Sequence, residues 1–276
     1  FERSFEAATQ AADDALVCEA ALLEQRFPST ATLEGRAVRR TSELWDGAAD
    51  DAAAPCRIGT GTVPTLLNVE LPADLRFAET AEELRGRYGS FRRRYEYHLD
   101  APVTVEMQRC RAVAVVGDDA TTTALATSMV LQSATRLPPS RLSTAVLTTQ
   151  PRATRWRWLT WLRSNAPSTW WAGSILAVAD EREALLAELE ELAAAGVPGA
   201  TDEVERLVVV DADALGASDL ARLLRVAASG VCRIVWIGER RGDAPGASEV
   251  VVVCEAADSE AADSEAAFGV VNVVEG

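Results

Sequence analysis

The second half of the chain alternates short apolar runs with amphipathic stretches. The runs "CRAVAVVG", "RLVVVDAD" and "CRIVWIG" are apolar without alternation, as in strands that are covered on both faces. Stretches with helical spacing, such as "EREALLAELEELAAAG" and "SDLARLLRVAASG", separate them. From "APVTVEM" at residue 101 to residue 276, the pattern predicts a three-layer α/β domain whose mainly parallel sheet has "AVAVVG" and "LVVVD" at its centre.

The first part of the chain has a different pattern. Residues 1–46 contain two stretches with helical spacing, separated at Pro28, and Ser29 or Thr30 is a candidate cap of the second; we expect a helical, stalk-like section. Residues 47–100 contain the acidic loop "DGAADDAAAP", then "CRIGTGTVPTLLNVEL", which predicts two short strands joined by a turn, and then a helix. We expect this second section to pack on the main domain.

A tandem repeat lies near the C-terminus. "EAADSEAADSEAAF" is rich in acidic residues and alanine, and it stands between two β-like runs, "SEVVVVCE" and "FGVVNVVEG". Because such a composition buries little apolar surface, we predict a loop at the tip of a β-hairpin and assign no chemistry to it.

Composition narrows the classes of function. The 276 residues are 48% hydrophobic, which suits a folded globular protein with a sizeable core. The formal net charge of −15 repels phosphate backbones and acidic lipids, so we expect no nucleic acid and no broad membrane surface as a partner. The sequence shows no apolar run of transmembrane length and begins at Phe1, and we expect a piece of a longer protein that does not itself insert into a membrane.

The residue types that are present restrict the chemistry. All 27 positively charged residues are arginine, which excludes every lysine-dependent mechanism. The five cysteines lie far apart without a C-x-x-C pair, as is typical of reduced thiols, and no metal-binding cluster is visible in the sequence. A catalytic triad or a histidine-rich zinc site would need His98, the single histidine, which we interpret as structural. We therefore expect neither a metal nor a cofactor.

The stretch "VAVVGDDATTTALATSMV" has the layout of a phosphate-binding loop, because a strand runs into a glycine and a helix follows. A working loop reads G-x-x-x-x-G-K-[ST]: backbone N–H groups wrap the phosphates, the lysine reaches the outer ones and the hydroxyl holds magnesium. Gly117 keeps the first glycine. The other three defining positions are occupied by Thr122, Thr123 and Ala124. Asp118 and Asp119 add carboxylates that repel a triphosphate, so the sequence indicates only the shell of a nucleotide site.

The second element of such a site is an acidic residue at the end of a buried strand. "RLVVVDADAL" provides Asp211 and Asp213 after apolar residues, which suits a Walker B position. Since aspartate also caps the turn after many strands, we interpret the pair as inherited geometry. The alternative is a divergent nucleotide-binding or ATP-hydrolysing domain, in which an arginine takes the place of the lysine. Arg152, Arg155 or an arginine of a neighbouring subunit could offset the acidic loop.

A cluster of tryptophans in "TRWRWLTWL" is a candidate partner surface. On an α-helix, one face would pack on the sheet and would contain Trp158, Leu159, Trp161 and Leu162. Trp156 lies off the centre of that face, and we therefore expect it to contact a partner.

The arginine cluster at the end of the helix before residue 100 is a second candidate. Arg92, Arg93 and Arg94 could bind a polyanion beside Tyr95 and Tyr97. Salt bridges within this acidic protein are the favoured interpretation.

The order of these motifs resembles the FtsK/SpoIIIE-type ATPases of type VII (ESX) secretion systems, the EccC family, between their membrane helices and first true ATPase domain. In that family a helical stalk reaches a proline turn, here "QRFPST", then a Leu-Trp helix end with an acidic loop, here "SELWDGAADD". An arginine-led glycine strand follows, here "RIGTGTVP". "AVVGDDATTTALATSMVLQSA" is similar to the family's strand, Gly-Asp and helix, and "WRWLTWL" to its Trp-rich helix. The match spans most of residues 20–240.

The sequence departs from the family's pattern in two places. Phe27-Pro28 stands where His-Pro is usual, and "LRSNAP" stands where Leu-Pro-His follows the tryptophans. The resemblance implies a degenerate RecA-like domain in the cytoplasm, at the inner face of the membrane. It further implies a non-catalytic role that couples type VII membrane subunits to the FtsK-type motor domains of the same polypeptide. Two alternatives stay open, the divergent nucleotide-binding domain and a free-standing adaptor whose tryptophans grip a partner helix.

Overall fold

The computed structural model describes residues 2–45, 55–68, 81–107, 109–162, 171–196, 204–254 and 271–275. The α-helices are α1 (Glu2–Arg26), α2 (Thr30–Arg39), α3 (Ala81–Arg94), α4 (Asp119–Arg136), α5 (Ala179–Ala194) and α6 (Ala217–Ala228). The strands are β1 (Cys56–Pro64), β2 (Tyr97–Val105), β3 (Ala112–Gly117), β4 (Leu142–Leu147), β5 (Ser174–Leu176), β6 (Glu205–Asp211), β7 (Arg233–Gly238), β8 (Val250–Cys254) and β9 (Val271–Glu275). Short 3₁₀ helices lie at Ala153–Trp161, Ala212–Ala214 and Arg241–Asp243.

The chain forms two compact units. Residues 1–29 and 59–104 form the first, called here the N-terminal unit, and residues 30–58 and 105–276 form the second, called here the sheet unit. The predicted helical section 1–46 contributes to both of them.

The N-terminal unit contains α1, α3 and most of the two-stranded sheet of β1 and β2. The hydroxyl of buried Tyr95, just after α3, donates to Asp13 of α1 at 2.7 Å. His98 of β2 is buried, and its Nε2 lies 3.4 Å from a carboxylate oxygen of Glu19 on the same helix. These polar contacts hold the two helices and β2 together, and they give His98 a structural environment.

The sheet unit is built on a seven-stranded sheet with the order β5-β4-β6-β7-β3-β8-β9. All neighbouring pairs from β5 to β8 are parallel, and β9 pairs antiparallel with β8. β3 and β6 lie inside the sheet, and residues 113–116 and 208–210 are fully buried. The prediction that "AVAVVG" and "LVVVD" are central strands of a mainly parallel sheet is confirmed. The acidic repeat between β8 and β9 lies outside the described residues.

Helices cover both faces of this sheet. Alternate residues of a strand point to opposite faces, and Ala114 of β3 joins the core that contains Leu185 of α5 and Leu223 of α6. Val113 and Val115 point to the other face, where α4 contacts β3 and β7. The predicted three-layer α/β class is therefore confirmed. The strand order, with β7 between β3 and β6, is that of a RecA-like domain.

Two predictions about strands are wrong. The run "APVTVEM", predicted to open the main sheet, belongs to β2 and pairs with β1. The stretch "CRIGTGTVPTLLNVEL", predicted as two strands joined by a turn, contains the single strand β1 in the described residues. Its glycines do not form a turn; a Cβ at Gly61 would lie 3.1 Å from Val103 Cγ2, so this glycine allows close approach of side chains from β2.

Candidate functional site

The junction between β3 and α4 leaves no room for a phosphate-wrapping loop. β3 ends at Gly117 and α4 begins at Asp119, so a single residue separates strand from helix. Gly117 has a φ of 135°, and a Cβ there would lie 1.8 Å from the carbonyl oxygen of Cys254, which admits only glycine. The positions of the second glycine, the lysine and the magnesium-binding hydroxyl fall inside α4, as Thr122, Thr123 and Ala124.

Asp118 occupies the N-terminus of α4 with its own carboxylate. Its Oδ2 accepts from the backbone N–H of Thr121 at 3.0 Å and from the hydroxyl of the same residue at 2.9 Å. These hydrogen bonds, with the backbone N–H bond as the largest cause, hold the pKa of Asp118 below its ordinary value. A helix N-terminus normally attracts anions, and here the chain itself supplies the anion.

Arg152 and Arg155 reach the same edge of the sheet from the segment that follows β4. Arg155 Nη1 lies 2.5 Å from Asp119 Oδ2, and Arg152 Nη2 lies 3.8 Å from Asp119 Oδ1. Arg152 Nη2 also lies 3.7 Å from a carboxylate oxygen of Asp213 and 3.4 Å from one of Glu239. These three acidic residues follow β3, β6 and β7, so one guanidinium group joins three strand ends. The sequence indicated that Arg152 or Arg155 could offset the charge of the acidic loop, and both side chains lie beside Asp119 of that loop.

Asp211 and Asp213, the predicted Walker B pair, have different surroundings. Asp211 is 2% exposed, and the hydroxyl of Thr148, just after β4, donates to its Oδ2. Burial raises the pKa of Asp211, while the Thr148 hydrogen bond and the charges of Arg152 and Arg155 oppose that rise. Asp213 is 69% exposed, in the short 3₁₀ helix after β6. Of the two aspartates, only Asp211 is therefore both buried and hydrogen-bonded, as a catalytic or magnesium-binding acid is expected to be.

The tryptophan stretch forms a 3₁₀ helix, and the prediction of its faces is wrong for Trp156 and Trp161. At three residues per turn, Trp156 and Leu159 share one face, and they are 1% and 0% exposed. Trp161, predicted to pack on the sheet, is 88% exposed. Trp156 is thus a core residue that is not available to a partner in this structure.

The arginine cluster belongs to the other unit. Arg94 Nη2 lies 3.2 Å from Asp13 Oδ1, which is the internal salt bridge that the sequence favoured. Arg92 and Arg93 are exposed, and neither pairs with a carboxylate among the described residues. Arg92 lines a cavity.

Sequence reasoning missed Thr148 and Glu239, which complete the contacts at the sheet edge. Thr148 lies 63 positions from Asp211, and no local pattern relates the two. Thr148 and Glu239, however, each directly follow a buried strand, and Asp211 ends one. The carboxyl ends of parallel strands meet at one edge of the sheet. That rule is the signal that would have placed Glu239 beside Asp213.

The described residues contain no cluster of three or more histidine, cysteine, aspartate or glutamate side chains arranged to hold a metal ion. Within the same part of the chain, every helix is too short or too polar to cross a membrane.

No protein-family model and no curated protein matches the chain. Its structure is similar to EssC (ATPases 2 and 3) from Geobacillus thermodenitrificans, at 9% identity and a TM-score of 0.47, over 64% of this chain and 40% of that one. It is also similar to the cytoplasmic domain of the type VII secretion ATPase EccC from Thermomonospora curvata, at 12% identity and a TM-score of 0.39, over 55% and 20% of the two chains. ATPases 2 and 3 of the latter, in complex with a signal sequence peptide, give 14% identity and a TM-score of 0.38, over 55% and 31%.

The chain spans less than half the length of each of these solved structures. The RecA-like assignment rests on the strand order of the sheet unit itself.

Proposed function

We propose that the chain is a non-catalytic, RecA-like interaction domain of a type VII secretion motor. In this role it couples membrane subunits of the secretion system to downstream FtsK-type ATPase domains of the same polypeptide. It works in the cytoplasm, at the inner face of the membrane, where a further part of the polypeptide anchors it. The order of the sequence motifs supports the secretion role, and the geometry of the β3–α4 junction supports the absence of catalysis.

The single residue between β3 and α4 is the observation that carries the non-catalytic proposal. The N-terminus of a helix favours an anion by about 0.3–1 kcal/mol, whereas micromolar affinity requires about 8 kcal/mol. The wrapping loop and the lysine that normally supply the difference have no counterparts at this junction. Asp118 moreover takes the Thr121 amide that a phosphate would use.

A divergent ATP-binding domain is the second candidate, and the position of the two arginines favours it. Arg152 and Arg155 bring positive charge to the edge where a lysine would act, close enough to Asp211 to influence its pKa. Both guanidinium groups already pair with Asp119, however, and Asp211 is bonded to Thr148. A nucleotide would have to displace these internal partners before it could bind.

Thermal unfolding with and without Mg-ATP tests the proposal. A ligand at a hundred times its Kd stabilises a protein by about 2.7 kcal/mol, which raises Tm by roughly 5–10 °C for a chain of this size. We expect millimolar Mg-ATP to change Tm by less than about 1 °C, with magnesium chloride at equal ionic strength as the control. A rise of several degrees that Asp211→Asn removes would favour the second candidate.

A further inference from the structure

One face of α4 contacts the chain beside two of its passages between the compact units. The chain leaves the N-terminal unit after residue 29 and re-enters it at residue 59. Thr30 and Arg57, which stand next to these passages, both belong to the sheet unit and both contact α4. The contacting residues of α4 are spaced four apart, so they lie in one row along the helix: Ser128, Gln132 and Arg136.

The side-chain amide of Gln132 pairs with the backbone of Arg57 as a neighbouring strand would. Its Oε1 accepts from the Arg57 N–H at 2.8 Å, and its Nε2 donates to the Arg57 carbonyl oxygen at 2.7 Å. Two bonds to the N–H and C=O of one residue are the pattern of a hydrogen-bonded pair in an antiparallel sheet. Arg136 Nη1 donates to the carbonyl oxygen of Pro55 at 2.7 Å. These bonds fix the backbone where β1 begins.

A further pair of contacts connects this pairing to the first passage. Gln132 Nε2 also donates to Ser128 Oγ at 3.2 Å, and that hydroxyl oxygen lies 3.0 Å from the hydroxyl oxygen of Thr30. Thr30 and Arg57 are thus joined through Ser128 and Gln132 in one hydrogen-bonded network, although they are far apart in sequence.

The burial of Gln132 distinguishes this network from a surface contact. Gln132 is 3% exposed, and the neighbouring buried positions of α4 include Met129 and Val130. The amide uses three of its four hydrogen-bonding capacities. A buried polar group contributes less stability than an apolar one, but when it is well paired it specifies its partner. The network therefore selects the position of Arg57 on α4.

The opposite end of α4 lies at the carboxyl edge of the sheet. Asp119, the first residue of the helix, pairs with Arg155. Gln132 follows thirteen positions later, which is about 20 Å along the helix axis. Between these ends, α4 packs on β3 and β7. One packed helix thus connects the carboxyl edge of the sheet to the chain passages.

We propose that Ser128, Gln132 and Arg136, called here the α4 clamp, fix the path of the chain where it leaves and re-enters the N-terminal unit. Gln132 is the positioning residue of the clamp, because its amide bonds both Arg57 and Ser128. In the proposed coupling function, on which this role rests, movement of the chain at either passage reaches α4. The clamp itself needs no nucleotide, so a failed clamp leaves the Mg-ATP result unaffected, and the reverse also holds.

Hydrogen exchange at the Arg57 amide, resolved by NMR on the whole chain, tests the α4 clamp. Gln132→Met keeps a side chain of similar length and helix propensity but removes its hydrogen bonds. Exchange of such an amide requires local opening, so we expect it to be at least about tenfold faster in Gln132→Met. Ser133→Ala is the matched control on α4, because the Ser133 hydroxyl donates to the Met129 carbonyl within the helix. It should change the rate at Arg57 by less than about twofold.

Ser128→Ala tests whether one network holds both passages. This variant removes the link to Thr30 and one partner of Gln132, while the direct bonds to Arg57 remain. We expect the Arg57 amide to exchange about threefold faster or more, because the Gln132 amide loses the partner that orients it. In the double variant with Gln132→Met, the acceleration should be smaller than the product of the two single effects.

Circular dichroism and Tm confirm that each variant is folded, and Ser128→Ala remains decisive if Gln132→Met does not fold. An unchanged rate at Arg57 in Gln132→Met overturns the proposal. An equal acceleration in Ser133→Ala, or one shared by the amides of β3, reports a general loss of stability and also overturns it. If Ser128→Ala has no effect, or if the effects multiply in the double variant, the passages are held separately and a single clamp is refuted.

Discussion

Two arginine clusters of this chain share a residue type and differ in their surroundings. At the carboxyl edge of the sheet unit, Arg152 is 18% exposed and has three carboxylate partners, and Arg155 pairs with one of them. In the N-terminal unit, Arg92 and Arg93 are exposed and have no carboxylate partner among the described residues. The first cluster is satisfied by carboxylates of the same chain, whereas the second is exposed to solvent.

The difference follows from the architecture around each cluster. Parallel strands bring their carboxyl ends to one edge, so Asp119, Asp213 and Glu239 converge on Arg152 although they are far apart in sequence. The end of α3 has no such convergence, and there only Arg94 finds an acidic partner, Asp13 of α1. An arginine at a sheet edge is thus a poor indicator of a ligand site until its internal partners are known.

The largest effect on stability is expected at Gly117, which ends β3 two residues before Asp119. Gly117→Ala places a Cβ against the Cys254 carbonyl at a φ of 135°, so the unfolding free energy should fall by about 3 kcal/mol or more. Urea unfolding measures this. Gly246→Ala is the matched control, because a Cβ there meets nothing within 4 Å, and it should stay within about 0.5 kcal/mol of the parent. A tolerated Gly117→Ala would mean that the tight junction is not required.

Truncation of one arginine from each cluster tests the comparison itself. Arg152→Ala removes the shared partner of three carboxylates and should lower the unfolding free energy by about 1–2 kcal/mol, with a smaller loss at high salt. Arg92→Ala removes an exposed side chain and should cost less than about 0.5 kcal/mol. Denaturant titrations of both variants give the two values. Equal losses of unfolding free energy would show that Arg152 is no better satisfied by its internal partners than Arg92.

A smaller effect of opposite sign is expected at Asp211. Burial raises its native pKa above the ordinary 3.8, so the native state holds the proton more tightly than the unfolded chain. The contribution of this group to the unfolding free energy therefore falls as pH rises from about 3.8 through the native pKa. At neutral pH, Asp211→Asn keeps an acceptor for Thr148 and loses the buried charge, which should raise Tm, by roughly 2–4 °C for each kcal/mol gained.

The exposed neighbour provides the control for that prediction. Asp213→Asn, at a side chain that is 69% exposed, should change Tm by less than about 1 °C. The gain from Asp211→Asn should also disappear below the ordinary pKa of aspartate. A Tm that falls at neutral pH in Asp211→Asn would show that the charged form of Asp211 is stabilising.

The sequence was a good guide to the sheet and a poor one to the segments around it. Unalternating valines in β3 and β6 reveal burial on both faces, because no other arrangement covers them. The stretch with Trp156 and Trp161 misleads, since a period of three instead of 3.6 places Trp156 on the buried face with Leu159 and leaves Trp161 exposed. Gly61 of β1 also misleads, because a close approach of side chains from the neighbouring strand and a tight turn both favour a residue without a side chain.

The candidate site was predictable in outline only. Gly117 and Asp211 are visible because each ends an apolar strand. The partners that complete the site, Thr148 for Asp211 and Arg155 for Asp119, depend on how distant segments meet, which no local pattern records. The departure from the phosphate-loop pattern was visible as missing residues, whereas the single-residue connection between β3 and α4 became visible only with the positions of both elements.

Titration calorimetry of the chain with Mg-ATP tests most directly the central claim that its own aspartates and arginines fill the edge of the sheet. The account predicts no heat of binding below millimolar nucleotide, because a helix N-terminus contributes only about 0.3–1 kcal/mol of the roughly 8 kcal/mol needed for micromolar affinity, and Asp118 already occupies this one. Micromolar binding of Mg-ATP that Asp211→Ala abolishes would contradict it and would make the chain a divergent nucleotide-binding domain.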